Sequence, residues 1–160
     1  MAPYVVMDGT HASQARALVE ARGFGILSSN SQRTPGYPFA SITPYATDSE
    51  GTPILLMSRL AVHTKNLAED SRASLLVFEQ SDQRELLNAA RLNLLGDVAL
   101  VPDSALAGAR ARYLARHPEA AQWVDFGDFG FYRLNIVDIY YVGGFGAMGW
   151  VSASDYARRS

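Results

Sequence analysis

Ser58-Arg-Leu-Ala-Val-His63-Thr64-Lys65-Asn66-Leu67-Ala-Glu-Asp70-Ser-Arg72 is the stretch on which the reading of this chain turns. It sets Ser58, Arg59, His63, Thr64, Lys65, Asn66 and Arg72 within fifteen positions. An apolar run, Ile54-Leu-Leu-Met57, precedes it, and another, Ala73-Ser-Leu-Leu-Val-Phe78, follows. Each run has the length and composition of a strand. A short polar helix between two strands, rich in hydroxyls and cations, is suited to holding a phosphate. Lys65 offers an ammonium, Ser58 and Thr64 hydroxyls, Asn66 an amide, and the helix start its free N–H groups. A phosphorylated cofactor is the first expectation. The plainer reading is a solvated surface helix in which Lys65 and Glu69 stand four apart.

Outward from this stretch, strand and turn signals dominate. Thr10 can cap a helix over about 11–22 that stops at Gly23. Phe24 to Ser28 reads as a strand, Ser29 to Gly36 as a turn segment, and Tyr37 to Thr47 as a second strand. Asp48 to Thr52 turns the chain into the strand at Ile54. Beyond the cationic helix come Ser74–Glu79, an exposed loop over Gln80–Leu87, and a strand over Ala90–Val101 with Gly96 as a bulge. Ser104–Arg116 reads as a helix ended by His117-Pro118. Phe126 to Val142 is the last long strand, closed by Gly143-Gly-Phe-Gly146. Strands this close in sequence pair antiparallel, because parallel crossovers need about a dozen or more residues. The expected class is mainly β: a small antiparallel barrel of about six strands with peripheral helices, one domain over residues 1–160.

The bulk numbers exclude several classes of function. At 160 residues, with 48% hydrophobic and 19% charged residues, the chain is long enough for a real core. Fourteen Lys and Arg against sixteen Asp and Glu are scattered, so no basic stripe argues for nucleic acid. There is no cysteine, which removes disulfides, thiol nucleophiles and zinc–thiolate sites. No window approaches the roughly 20 apolar residues of a membrane span. The start, Met1 to Asp8, lacks the cationic and apolar regions of a signal peptide. A cytoplasmic protein is expected. His11 and His117 sit at helix ends and read as solvated, so the three histidines form no zinc site.

Three landmarks now stand in order: Pro35-Gly-Tyr-Pro-Phe-Ala-Ser41-Ile-Thr43-Pro-Tyr45-Ala46, then Ser58 to Leu67, then Phe131-Tyr132-Arg133-Leu134 with Val142-Gly-Gly-Phe-Gly146. Together they resemble the FMN-binding split-barrel superfamily of pyridoxamine 5′-phosphate oxidase. Within it they look most like the haem-utilisation (HugZ-type) branch, related to the cellular repressor CREG. The resemblance implies an antiparallel six-stranded FMN-binding split barrel and a homodimer with flavin at the subunit interface. It implies that Ser41 and Thr43, on one face of their strand, meet the isoalloxazine ring, and that Ser58, His63, Thr64, Lys65 and Asn66 hold the phosphate. Arg133 would face the cofactor groove, and the partner subunit would supply its glycine loop.

The departures narrow the activity. Ser41-Ile-Thr-Pro-Tyr45 replaces the Arg-x-Val-Leu-Leu-Lys run of the pyridoxamine oxidases, and His63-Thr-Lys-Asn66 replaces their Ser-Arg-Lys triplet. Their C-terminal arginine and histidine pair has no match, so pyridoxamine phosphate oxidation is not expected. The leading expectation is an FMN-dependent oxidoreductase passing electrons from a reduced nicotinamide to a small acceptor, with no side chain required as acid or base. A haem-handling protein, with His63 as iron ligand, is the alternative. The chain stops at Ser160, where haem-utilisation proteins typically carry a further domain, so haem ligands from such a domain are expected to be absent. A non-catalytic CREG-like regulator is the third reading.

Overall fold

Ile54-Leu-Leu-Met57 shows no alternation, and the structure gives the reason: this strand is covered on both faces. In the computed structural model, residues 9–144 and 146–158 are described; Met1–Asp8, the Thr10 side chain and Phe145, on which sequence expectations fell, lie outside them. The elements run α1 (Gly9–Ala21), β1 (Phe24–Asn30), β2 (Pro38–Pro44), β3 (Ala46–Thr47), β4 (Pro53–Ser58), α2 (Val62–Glu69), β5 (Arg72–Phe78), β6 (Arg91–Leu100), α3 (Asp103–Arg116), β7 (Phe129–Val142), β8 (Met148–Ser152) and α4 (Ala153–Ala157). Leu55 and Met57 of β4 point into the central core, whereas Ile54 and Leu56 join a second cluster under α3.

All pairings are antiparallel, in the order β2-β1-β5-β6-β7-β4-β3, with β8 added beside β7. The two ends of that order, β2 and β3, are one stretch of chain interrupted only at Tyr45. Its first part pairs with β1 and its last part with β4, so the sheet curls back on itself. Tyr45 marks the corner, fully buried, its hydroxyl donating to Val19 O at 2.6 Å. Counting β2 and β3 as one strand, the ring has the six strands expected, and β8 is an addition.

Inside lie Leu27, Leu55, Leu75, Leu92, Leu94, Leu134 and Ile139, all at most 1% exposed. Each such side chain contributes about 1.5–3 kcal/mol on removal from water. Ala15 and Val19 of α1 and Leu67 of α2 join the same cluster. Gly96 stands where the register of β6 on β7 shifts, as the sequence suggests. The extra residue is on β7, and a Cβ at Gly96 would run into the Asn135 carbonyl.

Three expectations change. The last long strand starts at Phe129, because residues 126–128 form the turn that receives Ser58 and Arg59. Gly143 to Gly146 does not end the sheet: Gly144 and Gly146 take positive φ, and the chain returns as β8 and α4. His117, read as solvated, is largely buried; its Nε2 lies 2.8 Å from Tyr45 O, and its ring lies tilted against Tyr113 with centroids 5.0 Å apart. The Gln80–Leu87 loop is exposed, with one short 310 turn at Gln83–Glu85.

Candidate functional site at the start of α2

The chain reaches α2 through a turn built by Ser58. Its hydroxyl donates to the Asp128 carboxylate and accepts from Leu60 N at 3.1 Å, while Arg59 N donates to Asp128 O at 2.8 Å. Ser58 is thereby committed to joining β4 to the turn before β7. The N-cap of α2 is Ala61, which has no side-chain acceptor, so the first-turn N–H groups have no cap. At the other end Asp70 accepts from Arg72 at 2.7 and 2.9 Å and from Asn30 at 2.9 Å. The Arg72 hydrogen bonds hold the Asp70 carboxyl well below the usual carboxylate range.

The helix turns Thr64, Asn66 and Leu67 inward and leaves Lys65 exposed. Asn66 bridges elements: Oδ1 accepts from Gln32 N at 3.1 Å, and Nδ2 donates to Ser29 Oγ at 3.2 Å. Thr64 Oγ1 is buried without a hydrogen-bond partner. His63 is half-buried, and desolvation lowers its pKa, so the imidazole is neutral near pH 7. Its Nδ1 lies 3.5 Å from Ser41 Oγ. If Nδ1 carries the proton, Nε2 is left with a free lone pair. Thr43, buried beside it on β2, donates to Ser41 O at 3.5 Å.

Of the residues singled out from the sequence, Ser41, Thr43 and His63 therefore meet where α2 packs on β2, and Thr64 is buried next to His63 in the chain. Ser58 and Asn66 lie alongside but are held by other parts of the chain, and Lys65 points to solvent. Arg133 is elsewhere, in a cleft beneath α3. Sequence reasoning missed the apolar side of the site: Leu60 and Val62 are 71% and 52% exposed. The signal was present in the bracketing of a polar helix start by Leu60 and Val62. Among the described residues no three of His, Asp and Glu gather as a metal site, and no helix is long and apolar enough to cross a membrane.

A phosphate would find here an unpartnered threonine hydroxyl and an uncapped helix start. A haem would find a neutral imidazole flanked by exposed aliphatic side chains, with Arg59 and Lys65 nearby in sequence for its carboxylates. Both fit the donors present. The profile of the family described as CREG, beta-barrel, matches residues 8–158. The chain belongs to that family. It is thus a split-barrel protein of the pyridoxamine-oxidase-like superfamily, in the haem-utilisation and CREG branch. It is 42% identical over 131 residues to the chloroplastic non-canonical heme oxygenase HOZ of Arabidopsis thaliana, covering 82% of this chain and 40% of that protein. To Protein CREG1 of Gallus gallus it is 26% identical over 162 residues, 91% of this chain and 84% of that one. A heme binding protein from Mycobacterium smegmatis superposes with a TM-score of 0.85 at 31% identity, over 96% of this chain and 61% of that chain. The chain therefore spans well under half of the plant protein and less than two thirds of the mycobacterial one.

Proposed function

We propose that this protein binds haem at the start of α2, with His63 Nε2 as an iron ligand, and that it serves haem handling or oxidative haem breakdown. The observation that carries the reading is His63 itself: a half-buried imidazole kept neutral, steered by Ser41, on a segment whose Leu60 and Val62 are exposed. A neutral imidazole with its other nitrogen engaged is the form that ligates iron. Relatives named for haem binding and haem oxygenation support it. When bound, the haem supplies the redox-active iron. The chain's own part is to present one imidazole, cover the macrocycle with aliphatic side chains, and meet its carboxylates with Arg59 and Lys65.

The outer faces of β1 and β2 and the β7 bulge expose Phe24, Ile42 and Val137. Such a face suits a second copy of this chain, and the assembly we propose is a homodimer. Titration of the purified protein with haemin tests the reading. A saturable Soret band that shifts or disappears in His63→Ala supports it, and a non-saturable or unchanged spectrum removes it.

A second reading rests on Thr64. Its unpartnered buried Oγ1 beside the uncapped start of α2 suits the phosphate of FMN, as in a flavin-dependent oxidoreductase using a reduced nicotinamide. Saturable quenching of FMN fluorescence by the protein, lost in Thr64→Val, would favour it over haem.

A further inference from the structure

We propose that the cleft beneath α3 binds a small organic anion, a carboxylate on a short apolar body, through Arg133 and Arg112. This site is separate from the start of α2 and depends on neither haem nor FMN being the ligand there.

The cleft has a volume of about 300 Å³ and lies between α3 and the outer faces of β4 and β7. At the packing of liquid water that is room for about ten non-hydrogen atoms. Its floor is apolar: Ile54 and Val101 are buried, and Ala105 flanks them from α3. Arg133 rises from β7 between Ile54 of β4 and Ala99 of β6. Its Nε is buried and unpartnered, and among the described residues the guanidinium makes no ion pair or hydrogen bond. Arg112, from α3, lines the same cleft with only a long bond to Thr47 O, 3.4 Å.

A guanidinium carries five N–H donors and no acceptor, and leaving a buried one such as Arg133 Nε unmatched is costly. The one carboxylate on the rim, Asp48, does not answer the need. Its Oδ1 already accepts from Glu50 N at 2.8 Å and Thr52 N at 3.0 Å, and it forms no ion pair with either arginine. Two cations without counter-ions over an apolar floor define the ligand: anionic oxygens at one end, a short hydrocarbon at the other. Gly108 of α3 lines the mouth, and a Cβ there would meet nothing within 4 Å, so a larger side chain can be placed over the cleft without a clash.

The test uses the full chain, ¹⁵N-labelled, titrated with butyrate, with inorganic phosphate, and with butanol as the uncharged isostere. Saturable amide shifts at Ser104, Ala105 and Arg133 with butyrate are expected, with weaker ones from phosphate and none from butanol. Arg133→Gln should weaken butyrate about tenfold, the loss of a charge-assisted pair. Gly108→Leu, which leaves both arginines in place and favours the helix, should block the cleft to a similar degree. His63→Ala should leave the butyrate response as it was. Shifts scattered over the surface or centred on α2, phosphate matching butyrate, or affinity unchanged from the parent in Arg133→Gln and Gly108→Leu would each overturn the proposal.

Discussion

Where α1 meets α4, the buried Arg16 and Tyr156 are matched within the chain; at the start of α2 the Thr64 hydroxyl is not. Arg16, 6% exposed, donates to Glu20 at 2.9 Å, Ser49 O at 2.7 Å and Ala157 O at 2.8 Å. Tyr156, 2% exposed, donates to Gly51 O at 2.7 Å. Burial pushes the Tyr156 and Tyr45 hydroxyls far above the ordinary phenol range, so both remain donors at any physiological pH. At α2, Thr64 Oγ1 has no partner, and the Ser41–His63 and Thr43–Ser41 contacts are both stretched to 3.5 Å. Arg16 and Tyr156 are saturated by the fold, and the Thr64 hydroxyl is left open. Polarity alone does not separate the two kinds; the hydrogen bonds each group makes do.

Arg16→Met should cost the most, about 3 kcal/mol, because it strands two carbonyls and Glu20 around a buried position. The urea midpoint reads it directly, and a loss below about 1 kcal/mol would erase the contrast between the two regions. Tyr156→Phe removes a single donor from Gly51 O and should cost about 1–2 kcal/mol by the same measurement. Thr64→Val deletes a hydroxyl that has no partner, so stability should change by no more than about 0.5 kcal/mol, or rise. A clear destabilisation there would mean that the hydroxyl is matched within the fold.

The smallest effect concerns pH. His63 has a lowered pKa in the folded chain, so between that value and the ordinary 6.5 the unfolded chain binds more protons. The stability associated with the neutral ring is present above about 6.5 and is lost as pH falls through the folded value. Thermal melts across pH 5–7.5 should therefore show a shallower acid slope in His63→Gln than in the parent. Equal slopes would place the imidazole in full solvent.

Much of the fold could be read in advance because strands here are punctuated by strong signals. Asp48-Ser-Glu-Gly, Pro102-Asp103 and His117-Pro118 each stop one element and start the next where the residues demand. β8 escaped because Met148-Gly-Trp-Val-Ser152 is short and follows a glycine run that reads as an ending. The site was harder for a different reason. The donors of Ser58 and Asn66 are visible in the sequence, but Asp128 and Ser29, which occupy them, lie far along the chain. Likewise nothing local to Arg133 shows that it belongs beneath α3, a position fixed by strand register.

The stretch from Pro38 to Thr47 that serves both edges of the barrel also orders the events of folding. Its two halves are each joined to a neighbour by a short turn, β1 to β2 and β3 to β4, so those hairpins close at little entropic expense. The ladder from Ile54↔Arg133 to Ser58↔Phe129 spans the longest sequence separation of any in the sheet. It therefore forms late, after β5, β6 and β7 have met, and the ring shuts like a bracelet whose clasp is β4 on β7. Weakening that clasp should hasten unfolding while leaving the refolding rate almost unchanged.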